Sequence, residues 1–399
     1  MERKCSVLIL TAGYGNGHNQ AANALAHSLR DQGCGLVRIM DLFEEAYPGF
    51  NAFTRYLYMK SPLWTARGLD VYGWIYRRTR NMTRRSVLAK WFNTLGASRL
   101  LRAVKEYNPS AIVTTFPFCG IPGLLRRRGM SLPLFTVVTD YQLHNRWLLS
   151  DAERYYVATE DLKRSMMRWG VDASRITVSG IPVREAFHGI RRVAPDAAKE
   201  YPVLVMPGAC STVFHLRKMA ERLLAIPGVR LEMICGRNKK MLRELGTAFA
   251  SEPRVRLYGY VESIHEPMRR AYCMVTKAGG ITLSEALHVR LPLLIHKPLP
   301  GQERENAQYF ADRGAAWISD DAEQLARQIR LLMRFPQARR RMAECQAALV
   351  SGAAAPARFI ARDILDTIVG GAVERAAGSR RETASETGRM TMTADGIMI

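Results

Sequence analysis

The stretch Cys273–Asn306 reads CMVTKAGGITLSEALHVRLPLLIHKPLPGQEREN. An apolar run, Tyr272–Thr276, leads into Gly279-Gly280. A helical pattern follows over Ile281–Val289, then a second apolar run, Pro292–His296, and a polar loop, Pro298–Asn306. Short apolar runs alternating with helix mark one unit of a parallel α/β sheet. Gly279 and Gly280 lack Cβ atoms, so a ligand can approach their backbone closely. The helix start behind them presents N–H groups and partial positive charge, which suits a phosphate. Gln302, Glu303 and Asn306 crowd the following loop with donors and acceptors, as a polyhydroxylated sugar requires. A second reading uses the same residues: Thr282-x-x-Glu285 fits a capping box that only starts the helix.

The chain of 399 residues is long enough for two domains, and 48% hydrophobic content supplies a core. The formal net charge of +22 implies an anionic partner: nucleic acid, a lipid surface or a phosphorylated substrate. The seven cysteines are scattered, with no Cys-x-x-Cys, and read as reduced core residues. The first apolar run is too short for a signal peptide. No stretch approaches the ~20 apolar residues of a membrane span.

From the start, a strand over Cys5–Thr11 runs into Thr-Ala-Gly-Tyr-Gly-Asn-Gly-His (Thr11–His18) and a helix over Asn19–Gln32. A strand over Leu36–Met40 ends at Asp41. The outline is that of a dinucleotide-binding unit, but His18 stands where the third glycine is needed. The glycine turn instead aims an imidazole at the mouth of the sheet, beside Gly17. Histidine is suited to taking a proton near neutral pH; the alternative is a helix-start residue without chemistry.

Between Asn51 and Phe92, aromatics interleave with bases and Asp70 is the only acid. Trp64, Trp74, Trp91, Arg77, Arg78, Arg84 and Arg85 belong to this stretch. Such mixtures bind single-stranded nucleic acid by stacking and phosphate contact. They also fit a membrane interface, and that reading is favoured here. Further on, Asp140, His144 and Trp147 follow an apolar strand, Leu134–Thr139, at the end where open α/β sheets bind ligands. A Pro-containing run from Gly180 to about Pro202 reads as a linker. The second half restarts the pattern, with Ser211, Thr212, Arg237, Asn238, Tyr260 and Val261 after successive strands. Two α/β halves of similar size suggest two Rossmann-like domains facing a central cleft.

These motifs, in this order, resemble those of the processive diacylglycerol β-glucosyltransferases. With plant monogalactosyldiacylglycerol synthases and the peptidoglycan GlcNAc transferase, these form glycosyltransferase family 28. The likeness rests on Leu10–His18, Tyr56–Ser61, Thr115–Pro117, Val138–Trp147, Tyr155–Thr159, Ser179–Arg184, Cys235–Asn238, Tyr258–Ile264 and Thr276–Ala316. It implies a GT-B fold. Residues 1–183 would form the acceptor and membrane-binding domain and 184–355 the UDP-sugar-binding domain. A helix over 356–376 would cross back to the first domain, and 377–399 would be a polar, disordered tail.

The resemblance implies an inverting transfer of glucose from UDP-glucose to the 3-hydroxyl of diacylglycerol and then onto the product. His18, or second Asp140, would be the base, with Gly17, His144 and Trp147 on the acceptor side. Gly279, Gly280 and Thr282 would face the diphosphate, aided by Ser211 and Thr212, and Glu285 the ribose. Tyr260 and Val261 would flank the uracil near Arg237 and Asn238. Gln302 and Glu303 would hold the sugar hydroxyls, with Asn306 also on the donor side. The partners would be UDP-glucose, diacylglycerol and anionic membrane lipids, with no nucleic acid, at the cytoplasmic face of the cell membrane. No Asp-x-Asp motif is present, and neither metal nor cofactor is expected. UDP-galactose is the alternative donor; a basic nucleic-acid-binding protein is the alternative of a different class.

Overall fold

The structure, a computed structural model, describes residues 5–13, 17–65, 70–83, 86, 96–190, 192, 200–208, 211–350 and 352–370, with backbone alone at 58–65 and 71–72. In the first half the strands are β1 (Ser6–Thr11), β2 (Leu36–Asp41), β3 (Ala111–Thr114), β4 (Leu134–Val137), β5 (Arg154–Val157) and β6 (Ile176–Val178). Its helices are α1 (Gly17–Asp31), α2 (Leu42–Ala46), α3 (Pro48–Thr65), α4 (Val71–Arg80), α5 (Ala97–Tyr107), α6 (Ile121–Arg126) and α7 (Glu160–Arg168). The strands pair in the order β2-β1-β3-β4-β5-β6, all parallel.

The second half carries β7 (Tyr201–Met206), β8 (Val229–Ile234), β9 (Val255–Tyr258), β10 (Cys273–Thr276), β11 (Leu293–His296) and β12 (Trp317–Ser319). Between them lie α8 (Val213–Leu224), α9 (Lys239–Ala248), α10 (His265–Arg270), α11 (Gly280–Val289) and α12 (Gln302–Asp312), and α13 (Ala322–Arg334) and α14 (Pro336–Leu349) follow. This sheet runs β12-β11-β10-β7-β8-β9, again parallel.

Each order reverses once, between β1 and β3 and between β7 and β10. Loops diverge there and leave a crevice beyond the strand ends. The crevice of the first sheet is bounded by Ala12–Gly13, by His18 and by Thr115; that of the second by Pro207–Gly208 and by Lys277–Gly280. The inner strands β1, β3, β4 and β10 are buried on both faces, as helices on both sides of a parallel sheet demand.

A helix over 356–370, α15, returns to the first sheet. Ala357, Ile360, Ala361, Ile364 and Ile368 recur at helical spacing and are buried, the last four in one cluster with Val7, Ile9, Leu25, Phe135 and Tyr156. Asp363 accepts hydrogen bonds from Arg154 and Tyr156, each at 2.6 Å. Another apolar cluster is continuous across the two halves, joining Tyr141, Ile181 and Phe187 to Ile281, Leu287 and Phe310.

Candidate active site

The residues expected on the acceptor side converge at the first crevice. His18 sits in the first turn of α1. Its Nδ1 lies 2.7 Å from the Thr115 carbonyl oxygen and 3.0 Å from Thr139 Oγ1, so the strand ends of β3 and β4 grip the ring. The Thr115 hydroxyl donates to the His18 carbonyl at 3.1 Å. With Nδ1–H donated to Thr115, Nε2 carries the lone pair. Burial draws the imidazole down to about 4, so it is neutral at pH 7. Phe116 packs edge-on at 5.2 Å and Trp147 lies at 6.3 Å.

Asp140 follows β4 and is buried. Trp147 Nε1 donates to its Oδ2 at 3.0 Å, and the Gln302 amide reaches its Oδ1 from the opposite domain. Burial raises the carboxyl to about 6, against the hydrogen bonds of Trp147 and Gln302. His144, expected on the acceptor side, has protein partners on both ring nitrogens. Its Nδ1 accepts from Arg146 N at 3.2 Å and caps the short turn over Asn145–Ser150, while Nε2 lies 3.3 Å from Thr79 Oγ1. Burial, then the Arg146 charge, draws it down to about 3. It is a neutral post against which α4 rests.

The second crevice closes directly onto the first. Gly279 caps α11 with no side-chain hydrogen bond, so the Thr282/Glu285 capping box does not form. The helix N-terminus is left bare of side-chain caps, as an anion site needs. A Cβ on Gly280 would stand 2.0 Å from the Thr139 carbonyl oxygen, and one on Gly17 would stand 3.5 Å from Ile281 Cγ1. The two crevices therefore form one cleft.

Pro298–Asn306 is not a loop throughout. Gly301, at φ +91°, breaks the chain, and Gln302, Glu303 and Asn306 lie in the first turns of α12. Glu303 and Glu305 at its start are favoured by the helix dipole. Lys277 Nζ lies 2.6 Å from Glu303 Oε1, and the Lys277 stem packs over Gly208. The Asn306 amide donates to the Ala278 carbonyl at 3.2 Å and its Oδ1 accepts from Tyr141 N at 3.1 Å. Buried Glu285 is bound by Arg184 at 3.0 Å, and Arg184 also reaches the Glu262 carbonyl beside Tyr260 and Val261. The Arg237 guanidinium lies 5.0 Å from the half-exposed Tyr260 ring.

Other residues expected on the donor side have local partners. Thr212 caps α8 and Asn238 caps α9 through their own side chains, and Ser211 Oγ donates to the Pro207 carbonyl at 2.6 Å. Trp74 is 58% exposed and Arg77 and Arg78 are exposed, Arg78 lying over Trp74. The Trp64 side chain and residues Arg84, Arg85 and Trp91 lie outside the described residues. Thr115, Thr139, Lys277 and Arg184 lie within stretches that carry the resemblance, but the sequence assigns none of them a role. Their place at a strand end or glycine turn is the signal that points to them. Among the described residues, the one grouping of three candidate metal ligands is His27, Asp31 and Glu185, all exposed.

Two parallel sheets opposed across such a cleft define the GT-B fold. Acinetobacter baumannii MurG shares it at a TM-score of 0.59 and 19% identity, covering 91% of this chain and 99% of that one. The glycotransferase of kitacinnamycin does so at 0.58 and 16% identity, covering 92% and 99%. A family model described as monogalactosyldiacylglycerol (MGDG) synthase matches residues 18–183, and one described as glycosyltransferase family 28 C-terminal domain matches 216–360. Curated proteins named processive diacylglycerol beta-glucosyltransferase, from Bacillus cereus (strain 03BB102) and Bacillus thuringiensis (strain Al Hakam), are each 35% identical over 342 residues, or 83% of this chain and 87% of theirs. The chain belongs to this family of glycosyltransferases, family 28. It is an enzyme, a hexosyltransferase.

Proposed function

We propose that the enzyme transfers glucose from UDP-glucose to the 3-hydroxyl of 1,2-diacylglycerol, with inversion, and then onto the glucosyl product. The observation that carries this reading is the meeting of His18 and Asp140 with the uncapped α11 N-terminus across one cleft. The lipid hydroxyl gives its proton to His18 Nε2 as its oxygen attacks the sugar C1. The C1–O bond to the diphosphate breaks, and UDP leaves with that electron pair. His18 is favoured over Asp140 as base because Asp140 already accepts from Trp147 and Gln302. Ionised Asp140, held behind Trp147, stabilises the imidazolium that forms.

The α11 N-terminus at Gly279, Gly280 and Thr282 meets the growing diphosphate charge, with Lys277 beside it, in the manner of a preorganised oxyanion site. No metal and no cofactor is assigned a role. Glu285 and Arg184 serve the ribose side, Tyr260 and Val261 the uracil, and Gln302 and Glu303 the sugar hydroxyls. Ser211, Thr212 and Asn238 shape the loops around the diphosphate through their caps.

The enzyme works as a peripheral protein at the cytoplasmic face of the cell membrane, on anionic lipid, and nucleic acid is not its partner. Exposed Phe50, Phe53, Tyr56, Trp74 and Ile75 beside Arg77 and Arg78 supply the apolar and cationic contacts of an interface. Among the described residues, no helix is long and apolar enough to cross a membrane. UDP-galactose is kept as a second donor because the matched N-terminal family model bears the galactolipid name. That model covers the acceptor half, whereas the donor is held by the other half. The test is lipid product mass and UDP release from diacylglycerol liposomes, with UDP-glucose and UDP-galactose in parallel. Mono- and dihexosyl diacylglycerol from UDP-glucose, increased by anionic lipid, is expected; product from UDP-galactose alone overturns the donor assignment.

A further inference from the structure

Helix α4 has two working sides. Trp74 and Ile75 are 58% and 49% exposed, and Arg78 stacks over Trp74 on the same outward side. Tyr76, Thr79 and Arg80, at helical spacing, face the cleft. Thr79 and Tyr76 rest on His144, the Tyr76 ring edge-on at 4.8 Å. Tyr76 OH donates to Glu305 Oε2 at 2.8 Å, and Arg80 Nη1 pairs with Glu305 Oε1 at 2.7 Å. Glu305 belongs to α12, in the opposite domain. It lies one turn from Gln302, which contacts Asp140, and two residues from Glu303, which holds Lys277 beside the glycine pair.

We infer that Glu305 is a positioning residue that couples membrane engagement of α4 to donor binding on α12. This rests on the membrane and donor readings above. With α4 docked, Arg80 and Tyr76 neutralise and orient the Glu305 carboxylate. With α4 displaced, a bare, partly buried carboxylate stands in the first turns of α12. There it repels an incoming diphosphate, because charge interactions are strong where water is scarce. A lipid surface holding Trp74 and Ile75 favours the docked state, so it raises donor affinity. A ligand shifts such an equilibrium only through different contacts in its two states, and the Glu305 pairing is that difference.

The experiment titrates UDP calorimetrically into full-length protein, alone and with phosphatidylglycerol/phosphatidylcholine vesicles free of diacylglycerol. Vesicle sedimentation is followed in parallel. Wild type should bind UDP roughly fivefold or more tightly on vesicles, within the usual range of coupling between sites. Glu305→Gln should sediment with vesicles as wild type does, yet bind UDP equally with and without them. Arg80→Gln should weaken UDP binding on vesicles, and adding Glu305→Gln to it should restore binding, which a purely structural role would not do. A Glu305→Gln variant that keeps the wild-type vesicle effect overturns the inference, as does a wild type that sediments with vesicles while its UDP affinity is unmoved. A wild type that ignores vesicles overturns the membrane reading and this inference together. A wild type that never binds UDP overturns the donor reading and, with it, this inference.

Discussion

At Asp140 the chemistry and the stability pull in opposite directions. Its carboxyl, ordinarily near 3.8, is raised by burial to about 6. A raised carboxyl favours the folded state fully below pH 3.8. That contribution is lost between about 4 and 6, because the unfolded chain ionises first. At about 1.4 kcal/mol per unit the loss above pH 6 is up to about 3 kcal/mol. Asp140→Asn should therefore melt higher than wild type at pH 8 and not at pH 4. Its kcat/KM should be lower on the order of a hundredfold, as for the loss of an electrostatic stabiliser. In wild type, kcat/KM should fall as pH drops through about 6, and the variant should lack that limb. His18, at about 4, stays neutral throughout that window. A limb that survives Asp140→Asn would move the titration elsewhere. That His18, Gly17 and Asp140 lie at one end of the first sheet was legible in the sequence, because they follow strand ends and a glycine turn. The grip on His18 was not, because Thr115 lies 97 residues away and Thr139 121.

Among the elements, α11 makes the sharpest demand on its residues. Gly279 has an ordinary φ of −73°, and a Cβ there would meet no protein atom within 4 Å. At Gly280 a Cβ would strike the Thr139 carbonyl. The two alanine variants should thus fail differently. Gly279→Ala should keep the wild-type melting temperature, because the methyl meets no protein atom, and lose UDP affinity if the proposed diphosphate site is there. Gly280→Ala should push the domains apart and lower kcat/KM on the order of a hundredfold, the usual effect of misplacing reacting groups by about an ångström. Near-normal kcat/KM in Gly280→Ala would contradict the closed cleft. The element itself was legible, since apolar strand, glycine pair and helix follow one another in the chain. Its neighbour α12 begins inside the stretch whose sequence suggests a loop. Two prolines and Gly301 precede it, and its polar first turns hide a face defined by distant partners.

The whole molecule is held by contacts that no local pattern reveals. Along one side of α12, Gln302 meets Asp140, Glu305 meets Tyr76, and Tyr309 meets Asp161, across 162, 229 and 148 residues of sequence. The doubly wound halves were readable from alternation alone; their mutual docking was not, because it depends on these long-range pairs. The return of α15 to the first sheet was readable from its apolar spacing. Ile364 is fully buried there, and Ile364→Ala should destabilise the protein by about 2–5 kcal/mol. Thermal unfolding checks this; no loss would mean that α15 does not pack as described.

The central claim is that one cleft carries a glucosyl group from donor to lipid with a single displacement at C1. Proton NMR of the first lipid product, formed from UDP-α-glucose and diacylglycerol, tests it most directly. A β-linked glucosyl diacylglycerol is predicted from wild type, with its yield abolished in His18→Gln. An α-linked product, or an undiminished yield from His18→Gln, would contradict the account.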